Sequence, residues 1–182
     1  MKTAISFKEM DLTGRDLREM DLTGADFQGA NLTGVNLRKS ILKGANFKGA
    51  NLLCTNLEYA ELTDIIVDEN TRHYRMNCPE TGAFVGYKKC FNDRIVQLLI
   101  PADAKRCSAT NPACRCSKAK VLSIKSIDSQ ESYEEATSFV DENFVYRVGN
   151  WVEVSNFNED RWMDSTTGIH FWMTREGAIG YM

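Results

Sequence analysis

Five cysteines lie between residues 78 and 116 of this chain: Cys78, Cys90, Cys107, Cys114 and Cys116. Thiolates bind zinc or attack electrophiles, so their spacing is the first test of what the chain could do. Structural zinc is held by paired Cys-x2–4-Cys knuckles. Here six residues separate Cys107 from Cys114 and one separates Cys114 from Cys116, a spacing that predicts ordinary thiols, with no metal and no cofactor. Around them lie Lys105, Arg106, Arg115, Lys118 and Lys120, interleaved with Ser108, Thr110, Asn111 and Ser117. Such a loop has the donors to hold an anion, with Arg115 and Lys118 as the candidate binding residues. Its positive charge would also favour a thiolate at Cys114 or Cys116. His170, inside Thr167-Gly168-Ile169-His170-Phe171-Trp172-Met173, completes the set. Cys114, Arg115 and His170 are therefore the centre of whatever enzyme this half could be. Phosphate-binding glycine loops, nucleophile elbows and His-Glu metal motifs are missing, and no residue is nominated as catalytic.

The elements expected to position these groups are short. Apolar runs predict strands at 82–90, 94–100, 118–127, 144–148, 151–155 and 168–173, with Pro101 ending the second because it cannot donate to a ladder. Residues 132–139 read as a short helix. Residues 174–181 read as another, with Thr174 as its cap and Glu176 in its first turn. The sum is a small α+β domain over 70–182.

The first third follows a different rule. A large apolar residue recurs every fifth position from Phe7 through Leu12, Leu17, Leu22, Phe27 and onward to Leu62 and Val67. Neither a helix nor a strand has a period of five. Two residues before each apolar one the side chain is mostly small (Ala25, Ala30, Ala45, Ala50, Ala60), and the intervening residue is mostly Asp or Asn. Glycines at 14, 24, 29, 34, 44 and 49 close many of the units.

This pattern resembles the pentapeptide-repeat family, whose unit reads Ala-Asp/Asn-Leu-X-X. The resemblance implies a right-handed quadrilateral β-helix over 1–69, about three coils, with the Leu/Phe and small residues inward. Four units per coil would stack residues twenty apart. The only phenylalanines in the series, Phe7, Phe27 and Phe47, are twenty apart, so they should form one ladder. The side through Leu17, Leu37 and Leu57 lacks glycine and is charged: Arg18, Arg38, Lys39, Glu58 and Tyr59 are its candidate binding residues. Stretches 82–89, 114–121 and 168–181 resemble an uncharacterised domain attached to such repeats in phage and large-virus proteins. Residues 167–173 also bear a faint likeness to the Gly-x-Tyr-Phe-Ala segment of ADP-ribosyltransferases, but no His-Gly or His-Thr pair precedes them.

A formal net charge of −3 gives no basic excess for nucleic acid or anionic membranes, so neither is expected as a partner. No apolar run reaches the ~18 residues of a membrane span. The start has no apolar stretch that would make a secretory signal, which points to the cytoplasm. The leading expectation is a non-enzymatic protein-binding scaffold, phage-derived and acting on a host protein, able to form a homodimer through its N-terminal coil end. One alternative is a small enzyme centred on Cys114, Arg115 and His170. The other is a DNA-mimic inhibitor using Asp11, Asp16, Asp21 and Asp26. That row continues as Asn31, Asn36, Ile41 and Asn46, and residues 1–69 hold eleven acids against eight bases, which argues against mimicry of a duplex carrying a charge every ~1.7 Å.

Overall fold

The structure is a computed structural model and describes residues 5–181. The chain divides into two compact units. The first comprises Met1–Met76, Ala109–Asn111 and Arg161–Asp164; the second comprises Asn77–Ser108, Pro112–Asp160 and Ser165–Met182.

In the first unit the period of five becomes a four-sided coil. Parallel bridges join Asp11 to Asn31, Asp16 to Asn36, Asp21 to Ile41 and Asp26 to Asn46, each twenty residues on. Each corner is a turn in which the inward residue accepts from the residue three further on, as Ala30 N donates to Phe27 O at 3.0 Å. Phe27 stacks on Phe7 and on Phe47 with 5.0 Å between ring centroids in both pairs, close to the ~4.8 Å at which parallel strands lie. From Leu22 to Leu57 the Leu/Phe column is buried together with the column of Ala25, Ala30, Val35, Ser40, Ala45, Ala50 and Thr55, while Phe7, Leu17, Leu62 and Val67 at its ends are half-buried. The two hydroxyls in that column are satisfied, since Ser40 Oγ donates to Leu37 O at 2.6 Å and Thr55 Oγ1 to Leu32 O at 2.8 Å.

A stack of repeats must close its last coil, because each coil is stabilised only by its neighbours. Here Thr71 Oγ1 donates to Phe47 O, and Leu52 N donates to Arg72 O. The segment 109–111 supplies two more bonds: Cys54 N donates to Thr110 O at 3.3 Å, and Thr110 Oγ1 to Thr55 O at 2.7 Å. Trp162 and Tyr74 pack against the repeat core and against each other. Arg161 lies over the Trp162 ring and donates to Tyr74 O.

The second unit is built from short antiparallel strands. Strands β1 (Phe84–Cys90), β2 (Arg94–Ile100), β5 (Lys118–Ser126) and β8 (Trp151–Glu153) form one sheet in that order. Strands β3 (Arg106–Cys107), β4 (Cys114–Cys116) and β9 (Ile169–Phe171) form a second, and β6 (Glu135–Thr137) pairs with β7 (Val145–Arg147). Val96, Leu98, Ile100, Val121, Ile124, Tyr146 and Phe171 are among its core residues. Gly86 lets this core close: a Cβ there would sit 2.5 Å from Phe171 Cδ2.

Helix α1 (Arg175–Ile179) forms as the cap residues predict, with Gly177 N donating to Thr174 Oγ1 at 3.1 Å. The helix expected over 132–139 does not form. Its centre is β6, with Ala136 buried between outward Glu135 and half-buried Thr137. Glu134, Glu135 and Ala136 favour a helix locally, but pairing with β7 and an ion pair from Arg147 to Glu135 at 3.3 Å outweigh so weak a propensity. Strands β3 and β4 carry no local signal and are held by their neighbours. Among the described residues the helical part of this half is thus the five-residue α1.

Candidate functional site

Each corner of the coil needs a residue at positive φ. On three sides that residue is usually glycine, as at Gly14, Gly24, Gly29, Gly34, Gly44 and Gly49. The side through Leu17, Leu37 and Leu57 instead places Glu19 (φ 61), Lys39 (φ 58) and Tyr59 (φ 56) there. Non-glycine residues elsewhere in the stack, Glu9, Cys54 and Asp64, occur once per side. A left-handed conformation costs an ordinary L-residue roughly 1–2 kcal/mol. This side bears that cost in every coil and gains a side chain each time.

The side chains so presented form a connected surface. Arg38 Nε lies 3.3 Å from Glu58 Oε2, and its guanidinium stands 5.5 Å from the centre of the Tyr59 ring. Lys39 pairs with Glu19 one coil earlier at 3.8 Å, and Arg18 pairs with Asp16 at 2.8 Å. The stacking of Arg18 over Arg38 is relieved by separate acids for each. Tyr59 is 57% exposed. All five candidate residues of the repeat half therefore lie on one side, where Arg38 contacts Glu58 and Tyr59 while Lys39 and Arg18 pair with Glu19 and Asp16.

The two candidates of the second unit are not part of such a surface. Lys118 Nζ binds Asp103 Oδ2 at 2.7 Å, which pulls the carboxyl below its usual range. Arg115 is buried, and its guanidinium donates to Asn158 O at 3.0 Å, Thr167 O at 2.9 Å and Asp160 O at 3.0 Å. These bonds, and its position over the Phe157 ring, make it the brace of the 156–167 loop.

The proposed enzyme centre is split by its own sheet. Arg115 is paired with His170, whereas Cys114 is paired with Phe171. Neighbouring residues on a strand face opposite ways, so the Cys114 thiol lies in the core on the face away from His170. Its thiol is pushed up by a hydrogen bond with Cys78 and then by burial, and burial pushes Cys116 up to about 12. Both are held as thiols, the opposite of the activation that the adjacent basic residues suggest. Among the described residues no group of three or more His, Cys, Asp or Glu is arranged to hold a metal ion.

The acidic row of the first coil does structural work. Asp11 Oδ1 accepts from Thr13 N at 3.0 Å and from Asn31 Nδ2 at 3.3 Å, and Asp26 Oδ1 accepts from Gln28 N at 3.0 Å and Asn46 Nδ2 at 3.1 Å. Asn51 repeats the bond to Asn31 at 3.2 Å. The Asp and Asn of each unit start its turn by bonding the backbone two residues on, and the amides lace successive coils. The signal for this ladder was the Asp/Asn position itself.

Taken together, the first unit is a period-five coil with one side chain-bearing side, joined in sequence to a second compact unit of short antiparallel strands. Residues 4–39 and 30–66 match pentapeptide repeats, and residues 74–178 match a family of unknown function, DUF5758. The chain belongs to that DUF5758 family and carries pentapeptide repeats, which fold as right-handed quadrilateral β-helices, ahead of the family's domain. Two solved structures are similar to it. The pentapeptide repeat protein Rfr23 from the cyanobacterium Cyanothece 51142 is 37% identical over 37% of this chain and 50% of that one, with a TM-score of 0.23. The pentapeptide repeat protein alr5209 from Nostoc Pcc 7120 is 30% identical over 36% of this chain and 71% of that one, with a TM-score of 0.24. The chain thus spans half the length of Rfr23. No curated protein matches it. Among the described residues no helix is long and apolar enough to cross a membrane.

Proposed function

We propose that this protein is a binding scaffold whose contact surface is the side carrying Arg18, Arg38, Lys39, Glu58 and Tyr59. The observation that carries this reading is the run of non-glycine residues at positive φ, Glu19, Lys39 and Tyr59, one per coil on that side alone. Backbone strain that recurs at one surface points to function there. The exposed Tyr59 beside paired charges is the residue mix that protein interfaces favour. The partner is taken to be a host protein and the chain a phage product, on the likeness of its second half to domains of phage and large-virus proteins, acting in the cytoplasm without a cofactor.

The test is co-purification from the native host, followed by the triple variant Arg18→Glu, Arg38→Glu, Lys39→Glu. Loss of the partner with an unchanged circular dichroism spectrum supports the reading; unchanged binding removes it. Self-association is a second contact. Ile5, Met10 and Met20 in the first coil are 44%, 48% and 39% exposed and occupy positions where later coils carry small buried residues. Replacing Met10 and Met20 by Asp should then lower the mass measured by light scattering from dimer to monomer.

A further inference from the structure

The four-stranded sheet of the second unit has two outer strands, and they end differently. On β1, Trp172 N donates to Tyr87 O at 2.7 Å and Tyr87 N to Trp172 O at 2.8 Å, so another segment already engages that edge. On the far side β8 is the last strand. It pairs with β5 as Lys118 with Glu153, Ala119 with Val152 and Lys120 with Trp151. The bonds at its two ends run from Val154 N to Ser117 O at 2.8 Å and from Val121 N to Asn150 O at 2.9 Å. Antiparallel ladders bond at every second residue, so Val152 completes this series, and Trp151 and Glu153 turn their N–H and C=O groups outward. Among the described residues no hydrogen bond meets those outward groups. The Trp151 side chain is 56% exposed, and Glu153 is exposed as well.

Open backbone of this kind is a template for one more strand, and the groups on β8 are complementary to themselves. Two copies related by a twofold axis through Val152 would lie antiparallel. Trp151 of each then faces Glu153 of the other, and every outward N–H and C=O of the two strands finds a partner. Other registers fall short. An axis at Glu153 sets two carboxylates against each other, which is destabilising. An axis at Trp151 sets Glu153 against Gly149, whose N–H already donates to Val121 O at 2.9 Å. The central register also suits the side chains. Lys120 flanks Trp151 and Lys118 flanks Glu153, so the row across two copies reads Lys, Trp, Glu, Lys, with no like charges adjacent. On the opposite face the half-buried Val152, packed at the margin of the core, meets Val152 of the second copy.

We propose that β8 is a homotypic contact, an edge at which two copies of this chain join their sheets antiparallel through Trp151, Val152 and Glu153. Three residues a side bury far less than the ~800 Å² per partner of a standard stable interface. The pairing is therefore transient and forms at high local concentration. Copies already held together elsewhere meet at a far higher effective concentration, which is how so short an edge becomes occupied. The contact lies in the second unit and is independent of the surfaces proposed for the repeats.

The experiment uses the full chain with the exposed Cys54 replaced by serine and Val152→Cys added. At the axis the two copies of residue 152 form a non-hydrogen-bonded pair with Cα atoms ~4.5 Å apart, within the span of a disulfide. Oxidation with diamide is followed by non-reducing electrophoresis and peptide mass spectrometry. A dimer cross-linked from 152 to 152 should form about tenfold faster than the dimer of Lys125→Cys, the factor that about one net hydrogen bond supplies; Lys125 is an exposed position on β5. Adding Glu153→Pro, whose missing N–H faces away from β5, should return the rate to that of Lys125→Cys. In a variant pair that keeps Val152, Trp151→Cys mixed with Glu153→Cys should give mainly a 151–153 dimer. Cross-linking at 152 no faster than at 125, or unaffected by Glu153→Pro, overturns the proposal, as does a mixture that yields no excess of the 151–153 dimer. An edge that takes a strand only from another protein would give these same negative results.

Discussion

Phe27→Leu is the sharpest test of the coil, because leucine is the native residue in the same column on the other three sides. Phe27 is completely buried and stacked on both neighbours, at 5.0 Å and interplanar angles of 9° and 6°. Each aromatic pair contributes ~0.5–1.5 kcal/mol beyond the area it buries. Losing both should destabilise the repeat unit by about 1–3 kcal/mol. Phe27→Ala adds a cavity and should cost about 3–5 kcal/mol. The two units need not unfold together, so a whole-chain melt would blur the effect. Amide hydrogen exchange on peptides from 22–52 isolates it, since local opening reports the stability of the unit itself. A protection free energy for Phe27→Leu within about 0.5 kcal/mol of the native chain, well under what two stacked pairs contribute, would refute the column argument. It would mean that the stack holds its shape by backbone bonds alone.

Four further outcomes follow from the same structure. Lys39→Gly relieves a φ of 58 worth roughly 1–2 kcal/mol and adds about 0.5–1 kcal/mol of backbone entropy cost; urea denaturation should show no loss of stability while partner binding falls. Gly86→Ala drives a Cβ to 2.5 Å from Phe171 and should cost the second unit about 1–3 kcal/mol of overpacking, read by its exchange protection. Arg115→Met leaves three carbonyls of the 156–167 loop without their donor, a loss of about 3 kcal/mol or more, and limited proteolysis should then cut in that loop. Lys88→Met removes a buried ammonium and should raise stability at pH 7, and its advantage should shrink as pH climbs towards 10.5. The lowered pKa means the unfolded chain binds more protons in that window, so the native protein gains stability as pH rises. The groups facing Lys88 are Cys90, Cys116 and Tyr146. Burial raises all three, Cys90 to about 11 and Cys116 to about 12; they oppose the trend only above the ordinary thiol range, and because Lys88 holds Cys90 down, the comparison is read below that range. Urea midpoints at several pH values that keep a constant gap would contradict this.

The contrast between the two halves of the chain shows where sequence reading stops. In the repeat half the interactions that build and stack the coils are set by fixed offsets. The apolar residue returns after five, Phe7 meets Phe27 after twenty, and the Asp or Asn bonds the backbone two residues on. Such offsets are written in the chain, so the coil, its core columns and its side chain-bearing side could be read directly. The strands β1, β2 and β5 were legible too, since each is long enough to show its own alternation. Only the tertiary structure decided the rest. It turned 135–137 into a strand because β7 lay beside it, set Cys114 and His170 on opposite faces of one sheet, and gave Arg115 three carbonyls more than forty residues away. It also brought 109–111 and 161–164 into the repeat unit, and it put Lys88 next to the ring of Tyr146. Each depends on segments distant in sequence, whose meeting is chosen by the packing of the whole core, and no local spacing records that choice.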